Sequence, residues 1–357
     1  MSLRLELNTP VHDDRPVFVS GGFCDWYPDV DQFRMQSLGP GQYVYEFPDA
    51  WSLPHQFDYK YTRGGWDHVE LDASGEAVPN RTVLANAGLK SDFVPHWRWY
   101  GMPFNPAWLP KIELLGNTFD APKINQTRRV YVLLPHDYTQ TDKRYPVLYL
   151  HDGQNLFGGG VGYGSWEIDQ KMALLAARYH HEVILVSIDH AEEARIREFT
   201  FQTTRAGKGR GQYYLDFIRH VIKPVVDSRY RTLPDAEHTG IGGSSLGGLI
   251  SIYAGLMHPN VFGRLMVFSP SLWISPKIYF DAIRFKAPVS MKIYAYGGEQ
   301  ESRFMIPNIE RFREALARQQ YGGNPIDIYL SVDPTGTHQE AHWSREFPKA
   351  VEWLFYE

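Results

Sequence analysis

Apolar and polar positions change their rhythm about a third of the way along the chain. At first the apolar residues gather in short alternating runs, RPVFVSGGF (15–23), GQYVYEFPD (41–49) and FDYKYTRGGW (57–66), with Gly-Gly, Pro-Asp and Gly-Pro pairs between them. Brief alternation broken by turn formers at close spacing predicts short strands paired into a small β-sandwich. The stretch HWRWYGMPFNPAWLP (96–110) has no such period, and Pro103, Pro106 and Pro110 argue against regular structure within it. The expected organisation is a β-sandwich domain over 1–98, a linker over 99–110 and a second domain over 111–357.

Beyond the linker the apolar runs become continuous: PVLYL (146–150), EVILVSI (182–188), RLMVFS (264–269), MKIYAYG (291–297) and IDIYLSV (326–332). Such runs fit strands buried on both faces. Helix periods lie between them. In 211–227, Tyr214, Phe217, Ile218, Val221, Ile222 and Val225 fall on one helix face. NIERFREALARQQ (308–320) and HQEAHWSREFPKAVEWLF (338–355) are further helices, with Pro348 expected to start or kink the second part of the latter. Strands alternating with helices predict an α/β fold, a mostly parallel sheet covered on both faces.

Composition narrows the classes of function. The 357 residues carry 36 Lys+Arg against 41 Asp+Glu, a formal net charge of −5. That balance argues against a nucleic-acid partner, because neutralising phosphates requires a basic surface. Cys24 is the single cysteine, so neither an internal disulfide nor a Cys-rich zinc site is available. No apolar run approaches the ~20 residues of a membrane span, and no membrane partner is expected. The start MSLRLELNTP lacks the apolar core of a signal peptide, which sets the expectation of a cytoplasmic protein. Oligomeric state is not readable from these patterns.

The chemistry concentrates in HTGIGGSSLGGLISIYAGLMHP (238–259), where Gly243-Ser244-Ser245-Leu246-Gly247 matches G-x-S-x-G centred on Ser245. A serine on a strained strand-to-helix turn needs small residues two positions to either side. Centring on Ser244 puts Leu246 where a glycine is required. A serine nucleophile also needs a base oriented by a carboxylate, on loops after later strands and in the order Ser, acid, His. GEQES offers Glu299 and Glu301, and DPTGTHQEAHW offers His338 and His342. His338 is closer to the strand end and is preferred. The His338–His342 pair has a zinc-ligand spacing, but Gln339 stands where H-E-x-x-H needs Glu, so no metal is expected. The turn in YLHDGQNLFGGG (149–160) supplies an oxyanion donor: the N–H of Gln154, joined by that of Leu246.

Together, YLHDGQNLF, IDHAEEARIREF (188–199), IKPVVDSRYRT (222–232), GGSSLGG and GTHQEAHW resemble the enterochelin-esterase/esterase-D-like branch of the α/β-hydrolases from about Pro110 onward. That branch includes siderophore esterases, feruloyl and acetyl-xylan esterases, S-formylglutathione hydrolases and mycolyltransferases. The resemblance implies Ser245 as nucleophile, His338 as base, Gln154 and Leu246 as oxyanion donors, and an acid just beyond the Gly-Gly turn. Glu301 is favoured there and Glu299 remains the alternative. FVSGGFCDWYPD (18–29), YKYTRGGWDHVE (59–70) and PNRT (79–82) resemble starch-binding-type, early-set β-sandwiches, which implies either glycan contact or a structural role.

The expected activity is serine carboxylic-ester hydrolysis through a Ser-His-Glu triad and an acyl-enzyme, without cofactor. The expected partner is a small-molecule or glycan-linked ester of siderophore, feruloyl or acetyl-glycan type. Arg195 and Trp166 are assigned to the substrate side, with Arg197 as the alternative arginine. Acyl transfer by the same triad, or a silent hydrolase scaffold with a glycan-binding module, are the competing expectations.

Overall fold

The computed structural model describes residues 3–10, 13–48, 52–119, 121, 123–124, 127–160, 162, 164–318 and 323–357. Its contacts divide the chain into two compact units, Met1–Leu109 with Gln170–His181, and Pro110–Asp169 with Glu182–Glu357.

The first unit is built on β1 (Leu3–Asn8), β2 (Phe18–Gly21), β3 (Gln36–Gly39), β4 (Gln42–Phe47), β5 (Gln56–Thr62), β6 (Glu70–Leu71), β7 (Arg81–Leu84), β8 (Leu89–Phe93) and β9 (His96–Trp97). One sheet has the order β3-β4-β1-β8 and a second β2-β5-β7, with β6 and β9 as a separate pair. Alternation decides the faces: Leu3, Leu5 and Leu7 of β1 point into the same core as Phe57, Tyr59 and Tyr61 of β5. Two sheets sharing one core make this a β-sandwich. The tyrosine hydroxyls that this core buries are satisfied, since Tyr59 and Tyr61 both donate to Asp92 Oδ2, at 2.6 and 2.9 Å. Of the predicted runs, Asp49 lies outside the described residues.

The second unit contains β10 (Lys111–Gly116), β11 (Val130–Leu134), β12 (Val147–Leu150), β13 (Ile184–Ile188), α2 (Arg195–Glu198), α3 (Gly211–Phe217), α4 (Lys223–Arg229) and β14 (Thr239–Ser244), while α1 (Ile168–Tyr179) belongs from Gln170 on to the first unit. It continues through α5 (Leu246–Met257), β15 (Arg264–Phe268), α6 (Ile278–Arg284), β16 (Met291–Gly298), α7 (Met305–Ala317), β17 (Ile326–Asp333) and α8 (Glu340–Phe355). Eight strands form one sheet in the order β10-β11-β13-β12-β14-β15-β16-β17, antiparallel at β10, β11 and β13 and parallel from there on. The central strands β12, β13 and β14 are buried along their whole length, as their continuous apolar runs require. The parallel strands all deliver their C-terminal ends, and the loops that follow, to one edge of the sheet.

Two helices differ in detail from their sequence patterns. The predicted helix over 211–227 is α3 and α4 joined through a π-turn at Ile218–Ile222. Pro224 follows that turn and lacks an N–H, and a widened turn accommodates the missing hydrogen bond. Conversely, Pro348 neither starts nor ends a segment: α8 runs through it to Phe355, with Pro348 buried against the sheet. The helix predicted over 308–320 is α7, and its last two positions lie outside the described residues. Among the described residues no helix is long and apolar enough to cross a membrane.

Candidate active site

Ser245 stands at the turn from β14 into α5 with φ 58° and ψ −118°. A left-handed φ is costly for any residue other than glycine, so the surroundings must hold it. Ser245 N–H donates to Phe268 O (2.9 Å), and Ser245 O accepts from Leu249 N–H (3.1 Å) and Ser271 N–H (3.0 Å). The flanking glycines are required by close approach. A Cβ on Gly243 would stand 3.2 Å from His151 Cδ2 and 3.3 Å from the Gly247 backbone, and one on Gly247 3.3 Å from Asp152 Oδ2. The Ser245 hydroxyl is hydrogen-bonded to Ser271 Oγ (3.1 Å).

Leu246 is the first residue of α5, where an N–H has no acceptor inside the helix and the helix dipole is positive. Gln154 lies in a 3-10 turn after β12, entered through Asp152 in the left-handed region (φ 58°). The Gln154 side chain is pinned to His190 in both directions, Nε2 donating to His190 O (3.1 Å) and Oε1 accepting His190 N–H (3.0 Å). Gln154 also lines a polar cleft of about 680 Å3 with Arg129, Asp189, His190 and Glu192.

Beyond β16, the Glu301 carboxylate is buried, its side chain 1% exposed. Its Oε1 accepts Ser269 Oγ–H (2.6 Å) and Gly298 N–H (2.8 Å), while Oε2 faces His338 Nδ1 at 2.5 Å. Trp343 Nε1–H donates to Ser269 Oγ (2.9 Å), and the Trp343 ring stands edge-on to the His338 ring. A chain Trp343–Ser269–Glu301–His338 thus fixes the orientation of the imidazole and leaves Nε2 facing away from the acid. The loops carrying the two residues are also tied by Gln300 N–H to Gly336 O (3.0 Å) and Glu299 N–H to Asp333 O (2.9 Å).

The other expected residues fall elsewhere. Glu299 is exposed and no side-chain bond joins it to a histidine among the described residues. His342, one turn into α8, faces Asp333 (3.3 Å) and Arg345 (2.7 Å). Arg195 is engaged in a two-pronged ion pair, Nε and Nη2 to the two oxygens of Asp152 at 2.6 and 2.8 Å. Arg197 donates to Lys208 O. The assignment of Trp166 to the substrate side needs correcting: it is 2% exposed and stacked on Phe268, because an indole this large gains more by filling the core behind the site than by facing water.

Ser269, Ser271, Trp343 and Asp152 went unassigned in the sequence. Only the position of Trp343, in the same short segment as His338, hinted at its part. The one grouping of metal-ligand type among the described residues is His136, Asp137 and Glu182. The Lys143 ammonium already sits on both of its carboxylates (3.1 and 3.5 Å), supplying the positive charge a metal would bring.

Residues 121–354 match the model of the Esterase family. The chain is 25% identical over 247 residues to the uncharacterized protein YbbA of Bacillus subtilis, a match spanning 64% of this chain and 92% of that one. It is 28% identical over 137 residues to the siderophore triacetylfusarinine C esterase of Aspergillus fumigatus, 36% of this chain and 44% of that protein. Among solved structures, the enterobactin esterase FES from Shigella flexneri, determined in the presence of enterobactin, shares the fold with a TM-score of 0.54 and 16% identity, over 96% of this chain and 91% of that one.

Proposed function

The chain belongs to the Esterase family and is a serine esterase, and we propose that it cleaves its substrates through Ser245, His338 and Glu301, with residues 111–357 as the catalytic domain. Ser245 Oγ attacks the ester carbonyl as His338 Nε2 takes its proton. Glu301 holds the imidazole through Nδ1 and stabilises the imidazolium. The N–H groups of Gln154 and Leu246 bind the oxyanion, favoured by the positive end of α5. His338 then protonates the leaving alcohol, the acyl-enzyme forms, and water enters by the same route in reverse.

The observation that carries this reading is the 2.5 Å contact between a buried carboxylate and His338. It sits at the sheet edge to which a strained turn also delivers Ser245. Ser245 Oγ is bonded to Ser271 Oγ in the free protein and turns to His338 Nε2 for the attack, since catalytic hydrogen bonds of this kind tighten with substrate bound. For substrate we propose a small-molecule or glycan-linked carboxylic ester, of the siderophore, feruloyl or acetyl-glycan kind. The siderophore-esterase relative supports the first of these.

The test is intact-mass analysis after a fluorophosphonate probe. One adduct is expected on the wild type and none on Ser245→Ala, with His338→Ala folded but slow to label. Labelling of Ser245→Ala at the wild-type rate would overturn the nucleophile assignment.

A further inference from the structure

Asp152 enters the Gln154 turn in the left-handed region, and its side chain does not cap that turn. An aspartate before a turn usually bonds the N–H groups that follow it. Here both carboxylate oxygens go to Arg195 instead, Oδ1 to Nε at 2.6 Å and Oδ2 to Nη2 at 2.8 Å. The same carboxylate rests on the first turn of α5, since a Cβ on Gly247 would stand 3.3 Å from Oδ2. It is thus carried two residues before Gln154 and packed on the residue next to Leu246. The carboxylate is a spacer between the two proposed oxyanion donors.

Arg195 holds that spacer from a fixed support. Its guanidinium lies over the ring of the buried Phe199, 5.1 Å from the centroid. Glu198, at the far end of α2, pairs with Arg128 at 2.9 Å, both side chains almost wholly buried. The turn also packs onto the end of β13: a Cβ on Gly153 would meet Ser187 Oγ at 2.6 Å and Asp189 Oδ1 at 2.7 Å. A planar two-pronged contact fixes direction as well as distance, which a single ammonium does not. It also neutralises a carboxylate that would otherwise oppose the negative charge developing on the substrate oxygen.

We infer that Arg195 is a positioning residue for ester cleavage: acting through Asp152, it sets the spacing of the Gln154 and Leu246 N–H groups and does not bind the substrate. This rests on the proposed triad and oxyanion donors. An arginine that bound the substrate would favour anionic esters. One that spaces the donors serves every ester alike and acts on the tetrahedral state.

Two esters and one inhibitor test it: para-nitrophenyl butyrate (neutral), mono-para-nitrophenyl glutarate (anionic) and benzyl trifluoromethyl ketone. Ser245 Oγ adds to the ketone carbon, its proton passes to His338, and the carbonyl oxygen becomes an oxyanion. Affinity for the ketone therefore reads the oxyanion site. Arg195→Met should lower kcat on both esters by on the order of a hundredfold with KM little changed, and weaken ketone binding by a similar factor. Arg195→Lys keeps the charge and loses the fork, so its loss should be smaller; it carries the test if Arg195→Met does not fold. The double variant Asp152→Asn/Arg195→Met should lose no more than Arg195→Met alone, because the pair acts as one unit. A defect confined to a raised KM for the glutarate would make Arg195 a substrate-binding residue and overturn the assignment. So would a fall in kcat with unchanged affinity for the ketone. A wild type that fluorophosphonate does not label would overturn the triad reading and this one with it.

Discussion

Ser269 shows how much of the site is invisible at the level of motif. It has φ 45° at the end of β15, donates to Glu301 Oε1 and accepts the Trp343 indole N–H. Nothing in FSPS distinguishes it from a loop serine, because its role exists only once β15, β16 and α8 are adjacent. Ser245 was legible for the opposite reason: its constraints are local, and both glycines lie within two residues. The acid was half legible. The Gly-Gly turn offers 299 or 301, and Glu301 is the proposed acid because it alone of the two is buried against His338. Glu301→Gln is expected to lower kcat by on the order of 10⁴-fold, as loss of the orienting carboxylate does in serine hydrolases. Glu299→Gln should stay close to wild type. Ser269→Ala leaves Glu301 and the buried indole each one partner short, and should cut kcat about tenfold with KM little changed, since the contact orients the base and touches no substrate. Steady-state kinetics on one chromogenic ester distinguish the three variants. A fall for Glu299→Gln matching that of Glu301→Gln would reject the acid assignment.

At the scale of elements, the strands were readable wherever burial is two-sided, since β12, β13 and β14 admit only apolar or small residues. What the pattern did not convey was how neighbouring loops are held together. The ends of β16 and β17 are the instance that matters. Gly298 pairs with Asp333 in the ladder, and a Cβ on Gly298 would overlap the Gly336 carbonyl. Gly336 in turn accepts from Gln300, so the turn that carries Glu301 and the one that leads to His338 are in backbone contact. Gly298→Ala must separate them. Because the clash is with backbone at a sheet edge, the structure yields by moving the His338 loop rather than by unfolding the sheet. The expected result is a large loss of kcat with a cooperative unfolding transition retained. Wild-type kcat would show that the two loops need not touch for the triad to form.

Across the whole molecule, each unit buries a histidine in a place that disfavours its charge. His96, 3% exposed in the sandwich unit, has its pKa pushed down to about 3, mainly by burial and further by Arg178 and Lys171. His151, 1% exposed beneath the Ser245 turn with Nδ1 on Tyr214 OH (2.7 Å), is pushed down to about 3 by burial. In the unfolded chain both titrate near 6.5. Between about pH 6.5 and 3 the unfolded chain therefore binds protons that the folded one refuses. Stability from this source is complete above about pH 6.5 and is lost as pH falls, by about 1.4 kcal/mol per pH unit for each histidine. Glu182, Asp189 and Glu340 act in the opposite sense, because their raised pKa values make their charge unfavourable in the fold until they protonate. The net acid slope is a sum of the two, and a single histidine must be isolated to be read. His96→Gln does so. Whatever the substitution costs at about pH 7, the gap in unfolding free energy between wild type and variant should narrow by about 1.4 kcal/mol on going to about pH 5.5, because only the wild type loses stability through this group. Urea unfolding at the two pH values measures the gap. A gap independent of pH would mean that His96 accepts its proton in the folded state as readily as in the unfolded one, and that the core of this unit is open enough to hydrate it.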